Sequence, residues 1–106
     1  MDSTDAIALI VTHHALPGRR DAVRAVWERH MAPAIDANPG HLAYFYCFDA
    51  HQPEVIAAFQ QYRSAEDAAA FLQTDPYLAY EREVAPLLAS APQVQRLTPT
   101  WTKVSA

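Results

Sequence analysis

The run from Ala6 to His13 is short, apolar and rich in β-branched residues, which predicts a first strand. Leu16-Pro17-Gly18 breaks it. From about Arg19 to Ala37, apolar residues recur at helical spacing (Val23, Val26, Trp27, Met31, Ala34, Ile35). Pro33 removes an N–H inside that segment and predicts a kink or a boundary near it. Asn38-Pro39-Gly40 is a stop and a turn, and His41 to Phe48 reads as a second strand. After the hairpin connection Asp49 to Pro53, Glu54 to Tyr62 reads as a third strand. Ser64 is a candidate N-cap for a helix over Ala65 to Gln73, with Asp67 reaching back to it. Thr74-Asp75-Pro76 opens another helical stretch from Pro76 to about Leu88. Ala91-Pro92 ends that stretch, and Val94 to Trp101 is the last strand, with Pro99 placing it near a sheet edge. The order β-α-β-β-α-β predicts an α+β, ferredoxin-like fold, a four-stranded antiparallel sheet with its helices on one face. Without repeats or a low-complexity linker, residues 1–106 read as one domain with its core at about 6–101.

The strands are apolar on both sides. Side chains alternate between faces, so Leu42, Tyr44, Tyr46 and Phe48 share one face and Ala43, Phe45 and Cys47 the other. The first strand likewise sets Ile7, Leu9 and Val11 against Ala8 and Ile10. Helices cover one side only, and a sheet with one wet face should alternate polar and apolar residues. The uncovered face predicts a homodimer packed sheet to sheet. Long Tyr side chains reaching water from a half-exposed face are the other reading.

Composition narrows the function. The 106 residues are 51% hydrophobic and 19% charged, enough to bury a core without disorder. Eight Lys+Arg against 12 Asp+Glu give a net charge of −4, which argues against nucleic acid as a partner, because neutralising phosphates takes clustered cations. Cys47 is the single cysteine, so neither an internal disulfide nor a cysteine zinc cage is available. The acidic start Met1 to Asp5 and the short apolar run after it do not read as an export signal. No segment approaches the ~18 apolar residues of a membrane span. The expectation is a cytoplasmic protein with no membrane partner. Seven of the eight cations are Arg and Ala is abundant, a composition of GC-rich bacterial genomes.

With the elements in place, the sequence resembles the antibiotic biosynthesis monooxygenase family of the dimeric α/β-barrel superfamily. The residues that carry the likeness are Leu16-Pro17-Gly18, Asn38 to Tyr44, Gln52-Pro53, Ser64 to Ala68, and Ala85-Pro86-Leu87-Leu88. The resemblance implies a small oxygenase without metal or flavin, which oxidises phenols or quinols because the substrate anion itself donates an electron to O₂. Such a protein needs a dry aromatic cavity, an acceptor for the phenol proton and donors for the oxyanion. Other relatives degrade haem. Where relatives often carry Glu-x-Trp at the end of the third strand, this chain has Gln60-Gln61-Tyr62. Phe71 and Tyr77 stand where relatives often have His.

His30 follows Val26 by four and Trp27 by three, so the helical stripe places it between helix and sheet. A neutral imidazole there is a candidate proton acceptor; a buried structural histidine is the alternative. Tyr62 joins His30 as a candidate catalytic residue. Trp27, Tyr44, Tyr46, Phe59, Phe71 and His13 are candidates to contact a flat aromatic ligand, or else a plain aromatic core. His13 and His14 diverge to opposite faces and cannot share a metal; His41 and His51 read as solvated. No His, Asp and Glu spacing matches a metal site, and no cofactor is expected. Glu81 lies on the apolar side of the last helix with Arg63 or an arginine of a partner chain as its candidate partner, and Cys47 reads as a small buried hydrophobe. Two functions follow: a homodimeric, cofactor-independent monooxygenase-like protein acting on a small aromatic or quinol-type compound, or a non-catalytic ligand-binding or stress-response dimer.

Overall fold

A computed structural model describes residues 5–103. Residues 1–4, which begin the acidic start weighed above as a leader, lie outside the described residues. Four strands, β1 (Ile7–His14), β2 (His41–Phe48), β3 (Val55–Tyr62) and β4 (Gln93–Leu97), form one antiparallel sheet in the order β2-β3-β1-β4. Three helices, α1 (Arg20–Ala37), α2 (Ala65–Phe71) and α3 (Asp75–Val84), complete the α+β, ferredoxin-like fold. The long central ladder runs from Ile7 opposite Tyr62 to His14 opposite Val55.

Local chemistry sets the element ends. Gly18 takes φ 76°, a backbone region costly for residues with a Cβ, and so turns β1 into α1. Helix α1 runs to Ala37 as expected, with no boundary at Pro33 itself: its side is exposed and only one helical bond is lost. Ser64 Oγ accepts the Asp67 N–H at 3.1 Å, as an N-cap should. The Asp67 carboxylate pairs with Arg63 at 2.8 Å. Helix α2 stops at Phe71, short of Gln73, because Thr74 takes the Phe71 carbonyl with both its N–H and its hydroxyl. Thr74 Oγ1 in turn accepts the Tyr77 N–H at the start of α3. Pro86 lacks the N–H that would extend α3, so a 3₁₀ turn at Ala85–Leu87 follows. This turn is pinned to the end of β1 by the bonds Leu16 N–H to Leu87 O and Ala89 N–H to His14 O. Strand β4 is shorter than the reading to Trp101: it ends at Leu97, and Trp101 is exposed.

The core joins Val23, Val26 and Met31 of α1 to Ile56 and Tyr62 of β3, Phe71 of α2, and Tyr80 and Val84 of α3. The β2–β3 hairpin is held from outside the sheet. Arg20 Nη1 lies 3.0–3.2 Å from the carbonyl oxygens of Asp49, Gln52 and Val55, and its guanidinium lies 4.0 Å from the Phe48 ring centroid. These carbonyls converge on one side chain, so Arg20→Ala is expected to lower stability by about 1–3 kcal/mol. Arg20→Lys should recover only part of this, since an ammonium lacks the flat guanidinium face that lies over Phe48. Urea midpoints of the two variants and the parent check it; equal midpoints would count against the clamp.

Candidate functional site

Register sorts the strand side chains. Leu9 faces Gln60, and Val11 faces Ala58; Tyr44 and Tyr46 lie opposite Gln60 and Ala58 on the other flank. All of these point toward the helices, as do His13 and Tyr62. Over the middle of the sheet the residues are small: Ala58 below, and Ala65, Ala68 and Ala69 above. Large aromatics stand around them, so the helices cannot close onto the sheet. A cavity of about 330 Å³ remains, near the lower end for small-molecule sites. Its walls include Trp27, Tyr44, Tyr46, Tyr62, Phe71 and Tyr77. It opens beside the edge strand β4, where Glu81, Val94 and Arg96 line it and are exposed.

Few polar groups enter this apolar space. Trp27 Nε1–H donates to the Tyr44 hydroxyl at 3.2 Å, which leaves the Tyr44 proton free to donate. Tyr62 O–H donates to Gln60 Oε1 at 2.9 Å, so the Gln60 carboxamide keeps its N–H donors. His13, only 7% exposed, sets Nε2 3.0 Å from the Tyr80 hydroxyl. Three buried polar atoms have no hydrogen-bond partner among the described residues: His13 Nδ1, Tyr46 Oη and His41 Nε2. Each such unmade bond costs about 1–3 kcal/mol, and two of the three belong to residues that line the cavity.

The structure brings together Trp27, Tyr44, Tyr46, Tyr62, Phe71 and His13 as the sequence reading expected. It separates two others from them. Phe59 lies on the opposite face, its ring centroid 6.2 Å from that of Phe45, because it is three residues from Tyr62 and so of opposite parity. His30 does not enter the space between helix and sheet. It sits at the border of α1 with α3, where its Nε2 meets Glu83 Oε1 at 3.1 Å and Arg29 meets the same carboxylate. His30 and Arg29 together hold the Glu83 carboxyl below its usual range.

Further corrections have local causes. A β-bulge between His41 and Ala43 places His41 opposite Tyr62 and leaves Leu42 54% exposed, not beside Tyr44. His41 is therefore partly buried. Its ring lies 4.3 Å from the Tyr62 ring and 4.7 Å from Phe71, and Asn38 Nδ2 donates to its Nδ1 at 2.9 Å. Cys47 is exposed on the outer face, and Arg63 pairs with Asp67, not Glu81. Gln60, Tyr80 and His41 were missed as site residues. Parity with Tyr62 marks Gln60, and the three-residue step from Tyr77 marks Tyr80, but a bulge leaves no comparable trace in the sequence. Among the described residues no three His, Cys, Asp or Glu side chains converge as metal ligands.

Residues 6–83 match the antibiotic biosynthesis monooxygenase family. The chain belongs to that family. No curated protein is significantly similar to it. Among solved structures, it is 24% identical to a Chloroflexus aurantiacus protein classed with the antibiotic biosynthesis monooxygenases, over 93% of this chain and 97% of that one, with a TM-score of 0.81. A Caulobacter crescentus protein of the same class is 20% identical over 93% of each chain, with a TM-score of 0.86. A Nitrosomonas europaea protein of unknown function is 23% identical over 99% of each chain, with a TM-score of 0.83. At these identities the likeness establishes the shared fold. Among the described residues, no helix of this family member is long and apolar enough to cross a membrane.

Burial controls the charge state of the site. It pushes the Tyr44 phenol up to about 12, with the Trp27 hydrogen bond offsetting part of the rise. Tyr46, Tyr62 and Tyr80 are raised further for the same reason, so all four are neutral phenols at physiological pH. Burial also lowers His13, helped by the neighbouring His14, and lowers His41, where the nearby Gln60 carboxamide offsets part of the effect. Both imidazoles therefore bind a proton more weakly in the folded chain than in the unfolded one, where His titrates near ~6.5. Below that pH the unfolded state holds more protons, so their effect is a loss of stability as pH falls through ~6.5, absent above it. The urea midpoint is expected to drop between pH 7.5 and pH 5, and to drop less in a His13→Gln/His41→Gln double variant. Equal drops would remove these two residues from the acid response.

Proposed function

We propose that this family member is a homodimeric monooxygenase, independent of added cofactors, that oxidises a small aromatic phenol or quinol-type compound. What carries the reading is the cavity: aromatic walls around about 330 Å³, with a few neutral hydrogen-bonding groups set into them. A flat hydroxylated ring fits walls of this kind. The Tyr44 hydroxyl and the Gln60 carboxamide would donate to a ring oxygen as it gains negative charge, where the dry surroundings strengthen each such bond. In the oxidation of a phenol to a quinone, O₂ supplies one oxygen atom to the ring carbon para to the hydroxyl. The other leaves as water with the two hydrogens lost from the ring and the hydroxyl. The ring supplies all four electrons, so the balance requires no further reductant. Haem fits these residues poorly: His13 is the cavity-lining histidine among the described residues, and its Nε2 is engaged by Tyr80.

The outer face supports the dimer. Phe45 is 61% exposed there, and Phe59, Ile10 and Cys47 flank it. Apolar patches of this kind are uncommon on soluble monomers, and a second sheet packed about 10 Å away would cover this one. A charge on this face should oppose that packing. Phe45→Lys is expected to weaken association by roughly tenfold or more, read as a shift from dimer to monomer in sedimentation velocity at micromolar concentration. A parent chain that sediments as a folded monomer would sink the dimer.

Oxygen uptake with a panel of dihydroxynaphthalenes tests the activity. The parent is expected to consume O₂ faster than the uncatalysed mixture, and Tyr62→Phe, which releases Gln60, to be slower by on the order of tenfold. His30→Ala, on the α1–α3 surface, should stay within about twofold of the parent. Tight binding with no enhanced uptake would instead favour the non-catalytic ligand-binding dimer. That reading draws on Phe71 and Tyr77 standing where relatives often have His, and Tyr62 where they often have Trp.

A further inference from the structure

We infer that Arg96 sets the class of ligand: the cavity takes a hydroxylated aromatic ring bearing a carboxylate, and Arg96 holds that carboxylate at the mouth. The inference rests on the reading of the cavity as an aromatic site and adds to it the ligand's charged group and the residue that recognises it. Register places the arginine. In the β1–β4 ladder Arg96 stands opposite Leu9 and Val94 opposite Val11, so both share the inner face with the cavity walls. Gln93, Gln95 and Leu97 alternate onto the other face. An inner face that is otherwise apolar gives an arginine no packing role of its own. On an edge strand its stem can follow the apolar rim while the guanidinium stays at the water boundary, and Arg96 is exposed.

The guanidinium is also unclaimed by any acid. Arg24 pairs with Glu28, Arg29 with Glu83 and Arg63 with Asp67, and Arg20 is held by the hairpin carbonyls. Among the described residues no carboxylate pairs with Arg96. Of the described residues that line the cavity, Arg96 is the one cation and Glu81 the one acid. They face the same opening from β4 and from α3 without meeting. A ligand anion is drawn to the first and repelled by the second, which gives a flat ring one orientation: carboxylate at Arg96, hydroxyl inward toward Tyr44 and Gln60. Deeper in the cavity a carboxylate would lose its water without gaining a cation. At the mouth it keeps part of its hydration, and the guanidinium can donate two parallel hydrogen bonds to its two oxygens.

The probes are 6-hydroxy-2-naphthoate and 2-naphthol, which share a hydroxylated ring and differ in the carboxylate. Near neutral pH both hydroxyls are protonated and the carboxyl group is ionised. By isothermal titration calorimetry the parent is expected to bind the naphthoate about tenfold more tightly than the naphthol. Arg96→Gln should lose that preference and still bind the naphthol within about twofold of the parent. Arg96→Lys should keep part of the preference, since it retains the charge and loses the fork. Arg19→Gln removes the same charge from an exposed position outside the cavity and should leave the preference intact. Equal affinities of the parent for the two probes, an undiminished preference in Arg96→Gln, or an equal loss in Arg19→Gln overturns the assignment and leaves the aromatic site standing. A parent that binds neither probe overturns the site reading and the assignment together. Should Arg96→Gln not fold, the parent carries the test alone. Sodium chloride at about 0.5 M must then narrow its preference, because an ion pair at the mouth is open to screening, and a preference indifferent to salt rejects the proposal.

Discussion

A residue in a strand has only one face available to it, and the ladder that fixes the strand's register fixes that face. The pairing of β1 with β3, from Ile7 opposite Tyr62 to His14 opposite Val55, therefore decides more than sheet geometry. It places Leu9, Val11, His13, Ala58, Gln60 and Tyr62 under the helices and Ile10, Phe59 and Phe45 on the outside. A slip of one residue would exchange the two sets. The cavity and the apolar outer face are thus two consequences of one set of backbone hydrogen bonds.

The cavity exists because size is unevenly distributed over the inner face. Alanines at 58, 65, 68 and 69 lie between aromatic side chains from β2, α2 and α3 that are too large to collapse over them. The same enclosure governs the chemistry. Burial keeps the tyrosines protonated and holds His13 neutral, so the space has no fixed charge of its own away from the mouth. A ligand entering it would meet neutral hydrogen-bonding groups in a medium of low dielectric constant, where each hydrogen bond is strengthened.

The element order, both helix caps, the turn at Gly18 and the two-faced character of β2 were legible in the sequence, because each depends on neighbours within a few residues. Six of the eight side chains singled out as site candidates meet at the cavity, five of them aromatic. Phe59 could have been excluded by counting strand parity from Tyr62. His30 could not have been placed by periodicity: it lies on the margin of the α1 stripe, and the margin faces α3 with its Glu83, not the sheet.

The sequence by itself determined which segments become strands and helices and that both faces of the sheet are apolar, since hydrophobic periodicity and backbone propensity act locally. Tertiary structure alone decided that His41 turns inward through a bulge, that His13 meets Tyr80 across 67 residues of chain, and that Gln60 is engaged by Tyr62. Those contacts depend on how strands pair and where helices settle on them, and pairing energies of that kind belong to the whole packed chain rather than to any stretch of it.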